Sequence, residues 1–120
     1  MVFVLILPDR KVELNITRSR APINYNRLRK LSPLESRIYF MNDDIIYLPL
    51  NVDLAIEKPT KNVKKFTIFY WPRYRCIAIA LKNKTFTTPV CPLGSVSEDF
   101  IELANKQLQG LLVKIVWEEK

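Results

Sequence analysis

The sequence predicts a mainly β, single-domain protein spanning residues 1–120, with a closed barrel of short strands and two capping helices. Three observations predict it. Apolar segments of four to seven residues recur along the chain, separated by turn residues. Two helix-compatible stretches lie far apart, with most of the strands between them. Eight prolines against two glycines make the turns stiff, and strands that short and that apolar remove their edges by closing on themselves. With 120 residues the chain can build a hydrophobic core without disulfide or metal staples. A content of 48% hydrophobic and 26% charged residues is that of a globular domain, not a disordered one.

The elements follow in order. Residues 2–7 form a continuous apolar run, read as a strand buried on both faces. Residues 11–16 alternate, with Val12, Leu14 and Ile16 inward, and Pro8-Asp9-Arg10 makes the hairpin between the two. Pro22 opens a helix to Leu31, with Ile23, Leu28 and Leu31 inward and Arg27, Arg29 and Lys30 outward. Ser32-Pro33 stops it. Residues 38–41 and 45–48 flank an Asn42-Asp43-Asp44 hairpin loop, and a short strand is expected at 52–56. Residues 57–65 are lysine-rich and read as an exposed loop. Strands are expected at 66–70 and 75–81, where Ala78 and Ala80 demand close packing on one side. Pro89 and Pro92 make 85–94 extended and irregular. Ser95-x-x-Glu98 is a capping box for a second helix, with Phe100, Ile101, Ala104 and Leu108 on its apolar face and Gly110 as its C-terminal cap. A strand at 111–117 ends the domain.

Several chemistries are excluded or disfavoured by composition. Histidine is absent, which removes Ser-His and Cys-His nucleophilic catalysis. Cys76 and Cys91 alone cannot complete a zinc site, and their spacing is not that of a redox pair. Buried free thiols are the expectation, with one disulfide left open. Asp43-Asp44 is read as a solvated turn rather than a cation site. No glycine-rich phosphate loop is present, and no cofactor, metal site or catalytic residue is assigned. No apolar run is long enough to span a membrane as a helix, and the first residues lack the charge and cleavage pattern of a secretory signal, so a cytoplasmic location is expected.

The net charge is +7, and it is uneven. Residues 1–40 carry eight basic and three acidic side chains, while residues 81–120 carry five of each. Arg18, Arg20, Arg27, Arg29 and Lys30, with Arg75 further on, are therefore candidates for binding nucleic acid or another polyanion. The bland alternative is a well-hydrated surface. A second cluster is Tyr70, Trp71, Arg73 and Tyr74, where aromatic faces and a guanidinium could take an extended peptide or a small apolar ligand. Trp71 and Tyr74, flanking Pro72, are expected at the surface, with Lys64, Lys65, Arg73 and Arg75 as a rim.

The run Val12-Glu13-Leu14, then Ala21-Pro22, Asn26 and Leu28, resembles the strand–Ala-Pro–helix opening of cyclophilins. Ile46-Tyr47-Leu48-Pro49, then Phe69-Tyr70-Trp71-Pro72-Arg73 before the apolar strand, then the proline-rich stretch 89–96, are similar to a smaller prokaryotic group of cyclophilin-like proteins of unknown function. The likeness covers about residues 12–114, with Tyr-Trp-Pro its most specific part. The glycines that flank this tripeptide in the group are missing here. The resemblance implies a closed β-barrel with capping helices and no settled activity. Peptidyl-prolyl isomerisation would be its inherited chemistry, with Arg37 ahead of Phe40-Met41 as an echo of the substrate-binding arginine. Asn42-Asp43-Asp44 departs from the expected Gln-Gly-Gly, and the histidine is gone. The order of expectation is thus a non-enzymatic module for a peptide or small ligand, then a polyanion binder, then a degenerate isomerase.

Overall fold

The computed structural model describes residues 2–42, 44–98 and 108–118. It is mainly β. Among the described residues ten strands form one antiparallel sheet with the order β3 (Leu34–Arg37), β10 (Leu112–Glu118), β1 (Val2–Ile6), β2 (Lys11–Ile16), β9 (Lys84–Ser95), β7 (Thr67–Trp71), β8 (Cys76–Ala80), β5 (Ile45–Pro49), β4 (Tyr39–Met41), and β6 (Thr60–Val63) pairs with β9 off this path. β1 (Val2–Ile6) and β2 (Lys11–Ile16) are the predicted hairpin, closed by the Leu7 N–H donating to the Arg10 carbonyl at 2.8 Å. In β2, Val12, Leu14 and Ile16 are buried and the residues between them exposed, as the alternation requires.

Helix α1 (Pro22–Leu31) has the predicted bounds but a different inward face. Leu28 and Asn24 are buried, whereas Ile23 is 52% exposed and Leu31 38% exposed. The cause is polar. The Asn24 amide exchanges two hydrogen bonds with the backbone of Ala55, at 2.7 and 2.9 Å, and this contact sets the rotation of the helix. The expected strand at 52–56 is instead irregular chain held by that contact. The segment beyond it is not simply an exposed loop. Glu57 is buried, and Thr60–Val63 is a strand, β6, with Val63 in the interior.

Leu34–Met41 is one extended stretch interrupted at Ile38. Its first half, β3 (Leu34–Arg37), pairs with β10 (Leu112–Glu118). Its second half, β4 (Tyr39–Met41), pairs with β5 (Ile45–Pro49). The strand path therefore begins and ends on neighbouring residues, with the buried Ile38 between them. The Ser36 hydroxyl donates to the Pro49 carbonyl at 2.6 Å, but no backbone ladder joins β3 to β5 among the described residues. The sheet is not closed by pairing, which departs from the predicted barrel.

β7 (Thr67–Trp71) and β8 (Cys76–Ala80) are covered on both faces. Ile68, Tyr70, Ile77 and Ile79 join the main core with Phe3, Leu5, Leu28 and Ile115. Phe69, Trp71, Cys76, Ala78 and Ala80 face a second apolar layer, closed over by Val63 of β6 and by Val90 and Phe86 of β9. This layer explains the two alanines, which let the overlying side chains come close. Trp71, expected at the surface, is only 7% exposed.

β9 (Lys84–Ser95) is a twelve-residue strand despite its prolines. Both prolines fall where pairing is irregular. Pro89 lies where β6 loses register, and Pro92 stands opposite Phe69 at a shift that leaves Leu93 as an extra residue. Gly94 is where β2 and β9 press together, since a Cβ there would meet the Asn15 carbonyl oxygen at 1.9 Å. Ser95 ends this strand rather than capping a helix. Most of the predicted second helix, including Phe100, Ile101 and Ala104, lies outside the described residues. Gly110 occupies a left-handed turn at φ 79° and donates its N–H to Ile38. The two capping helices are thus represented among the described residues by α1.

Candidate functional site

The residues that carry chemistry gather around α1. No side chain of its own caps the helix, and its first turn holds no acid. Glu57 supplies the missing acceptors across the loop. Its carboxylate takes the N–H groups of Asn24 at 2.7 Å and Ile23 at 3.1 Å. The turn leading into the helix is tied by Thr17, whose hydroxyl accepts the Arg20 N–H and whose carbonyl accepts the Ala21 N–H, both at 3.3 Å. Arg18 and Arg20 project from this turn into solvent, and Lys58 joins them by donating to the Ser19 carbonyl at 2.8 Å.

Two of the arginines place their guanidinium groups over aromatic rings. The Arg18 guanidinium sits 5.0 Å from the centre of the Tyr25 ring. The Arg29 guanidinium sits 5.5 Å from that of Trp117. Tyr25 and Trp117 are themselves joined, the indole Nε1–H donating to the Tyr25 hydroxyl at 3.4 Å. Both rings are half-buried and held from behind. Phe3 meets Tyr25 edge-on at 5.3 Å, and the Trp117 N–H donates to the Ser32 hydroxyl at 2.8 Å. The result is a row, Arg18, Tyr25, Trp117, Arg29, running from the helix to the end of β10. Each cation–ring contact contributes about 0.5–1 kcal/mol at an exposed position.

The charge around this row is one-sided. Arg18, Arg20, Arg27, Arg29, Lys30 and Lys58 have no ion-pair partner among the described residues. Glu57, the acid that approaches them through the helix, is occupied by the two backbone N–H groups. Five of the six predicted polyanion residues are therefore carried by α1 and its leading turn. Arg75 is not. It sits in a left-handed turn at φ 49° and pairs with Asp53 at 2.7 Å. Sequence reasoning missed Tyr25 and Trp117 as partners of the arginines. One signal was available, since Tyr25 and Arg29 are four residues apart on one helix face.

The fold keeps Trp71, Arg73 and Tyr74 in contact and separates Tyr70 from them. Tyr70 points into the main core and Trp71 into the second layer. Trp71 packs against Phe86 at 5.0 Å and Tyr74 at 4.6 Å, and its indole Nε1 is buried without a hydrogen-bond partner. Tyr74 is 51% exposed, with the Arg73 guanidinium 5.5 Å above its ring. The expected rim does not form, because Lys64 and Lys65 precede β7 while Arg73 and Arg75 follow it, about 17 Å of strand apart. Clefts of about 380 Å³ along Ile6, Leu7, Pro8, Leu112 and Val113, and about 410 Å³ along Glu13, Asn15, Ile16 and Ser95, lie elsewhere.

The remaining candidates have structural roles. Arg37 donates to the Gly110 carbonyl at 2.8 Å. Asp44 pairs with Lys84 at 2.7 Å, and Asp43 lies outside the described residues. Cys76 and Cys91 are free and buried, one in the second layer and one in the main core, on opposite faces of the sheet. Burial pushes the Cys76 thiol up to about 12 and raises that of Cys91. Neither is an activated nucleophile. No helix among the described residues is long and apolar enough to cross a membrane.

No family model and no curated protein sequence matches the chain. Two solved structures share its fold. One is the solution structure of the hypothetical protein AF2241 from Archaeoglobus fulgidus, with a TM-score of 0.71, 16% identity, and coverage of 96% of this chain and 93% of that one. The other is McbB in complex with tryptophan, with a TM-score of 0.71 and 16% identity over 98% of this chain. The chain spans 45% of the McbB chain. Likeness at this level of identity carries the fold and nothing further.

Proposed function

We propose that the chain is a non-enzymatic binding module for polyanions, and that the face formed by α1 and the turn before it is the binding surface. One observation supports this most: six cations on and around one short helix have no acidic partner among the described residues, and two of them lie over aromatic rings. Guanidinium groups so placed have already lost much of the side-chain freedom that binding would otherwise cost. We place this face on a cyclophilin-like barrel. The continuity of β3 and β4 through Ile38 supports such a closure, as does the order of segments that resembles that family.

The test is the salt dependence of binding. A labelled duplex oligonucleotide and heparin should both bind, with affinity falling steeply as salt rises. If all six cations engaged duplex phosphates, the logarithmic slope would be about −5, at about 0.9 per contact. Replacing Arg18, Arg20, Arg27 and Arg29 together by Gln should abolish binding. Salt-independent binding, or none at low salt, refutes the reading.

A second reading keeps the Tyr74 turn as a peptide or small-ligand site. The orphan Nε1 of Trp71 supports it, since a ligand carbonyl that displaced the Tyr74 ring would give that group a partner. Burial of Trp71 places this second. Proline-containing peptides that quench tryptophan emission independently of salt would restore it.

A further inference from the structure

We infer that the polyanion taken by the α1 face is single-stranded nucleic acid, read through base stacking on the row Arg18, Tyr25, Trp117 and Arg29. The inference rests on the polyanion reading above and adds a ligand class to it. A smooth polyanion needs only charge, and flexible lysines scattered on a surface would serve it. The row offers more. Each guanidinium carbon lies over a ring, 5.0 and 5.5 Å from the ring centre. A cation so placed adds a planar group beside the ring on which a base can stack, and its N–H groups can reach a phosphate. Phe3 packs edge-on against Tyr25, and the indole–hydroxyl contact joins Tyr25 to Trp117.

Only unpaired bases can use such a surface. In a duplex the base faces are covered by their neighbours, so the row would meet the phosphates alone and contribute charge without stacking. The cations around it, Arg20, Arg27, Lys30 and Lys58, which have no ion pair among the described residues, supply the sequence-independent attraction that tracks a backbone. Aromatic faces interleaved with cations are the arrangement by which proteins hold single strands without reading sequence.

The experiment uses the full chain with three probes: a labelled oligothymidylate of about twelve nucleotides, a duplex of the same length, and heparin. The decisive variant is the double substitution R18K/R29K, which keeps both charges and removes both planes. The wild type should bind the single strand at least about fivefold more tightly than the duplex. The double variant should lose about tenfold in single-strand affinity, a loss at least about fivefold larger than its loss for heparin or duplex. Single-strand binding should also quench the emission of the half-buried Trp117, and heparin should not. A single strand bound no better than duplex, or unaffected by the lysine variant, overturns the stacking inference and leaves the polyanion reading standing. Failure of all three probes at low salt removes both.

Discussion

Asn24 offers the sharpest test of how the chain holds α1 in place. Its side chain is fully buried, and it exchanges two hydrogen bonds with Ala55, one accepted at 2.7 Å and one donated at 2.9 Å. Asn24→Ala deletes both and leaves the Ala55 N–H and carbonyl facing a gap. A buried unsatisfied group costs about 1–3 kcal/mol, and the half-exposed setting of Ala55 puts each at the low end, so the variant should lose about 2–3 kcal/mol. For a 120-residue chain, unfolding entropy near 2.1 cal/mol/K per residue converts this to a fall in Tm of about 10 °C. Asn24→Asp separates hydrogen bonding from volume. The new carboxylate can still accept from the Ala55 N–H, but its second oxygen faces the Ala55 carbonyl. Burial and that carbonyl raise its folded pKa above the unfolded value near 4. The native state then binds the proton more tightly, so this variant should approach wild type below about pH 4 and lose stability as pH rises through the raised folded value. Urea unfolding followed by circular dichroism at pH 4 and pH 7, each referenced to wild type, measures both effects. An alanine variant within about 0.5 kcal/mol of wild type, or an aspartate variant with the same deficit at both pH values, would refute the argument.

Other consequences are equally direct. Gly94→Ala sets a methyl group against the Asn15 backbone, which cannot swing aside as a side chain would, so a loss of at least about 2 kcal/mol is expected in the urea midpoint. Cys76 and Cys91 should both resist a thiol reagent at pH 8 in the native state and react on unfolding, as a colorimetric thiol assay would read. With the Cys76 thiol pushed up to about 12, its contribution to stability is complete below the ordinary thiol value and is lost as pH climbs toward 12. Tyr74→Ala should uncover the Trp71 indole, shifting tryptophan emission to the red and raising iodide quenching, with a fold unchanged by circular dichroism.

What could be read from the sequence was whatever a local period determines. The alternation Val12, Leu14, Ile16 fixed β2, and Pro22 with Ser32-Pro33 bounded α1, because each signal lies within the element it describes. The inward face of α1 was misread because a contact 31 residues away, Asn24 with Ala55, decides the helix rotation against the apolar count. Trp71 is expected outside from its place beside the Pro72 turn, and nothing within 66–71 announces the second layer that Val63, Phe86 and Val90 build. β6 was hidden by its lysines, and β9 by two prolines that the register shifts accommodate. The basic residues of the site were legible as charge. Their aromatic partners were not, since Tyr25 and Trp117 lie 92 residues apart and meet only through the β1–β10 pairing and the packing of the helix.

Whether the basic face is a ligand surface or only a solvating one turns on where the charges sit relative to the helix. Arg29 and Lys30 occupy the last turn of α1, where the helix dipole favours cations. Arg18 and Arg20 precede the first turn, where it disfavours them, and that turn has no acid of its own. Each misplaced charge costs about 0.3–1 kcal/mol at the surface. Glu57 offsets this by capping the helix N–H groups, but it is buried beneath the chain and leaves the arginines without an acidic partner among the described residues. A face serving hydration alone needs no such placement; interspersed signs achieve it without repulsion, as in the balanced residues 81–120. Positive charge concentrated at an unfavourable helix end, with the Arg18 and Arg29 guanidinium groups over rings, supports the proposed polyanion surface, since an incoming anion would relieve the repulsion.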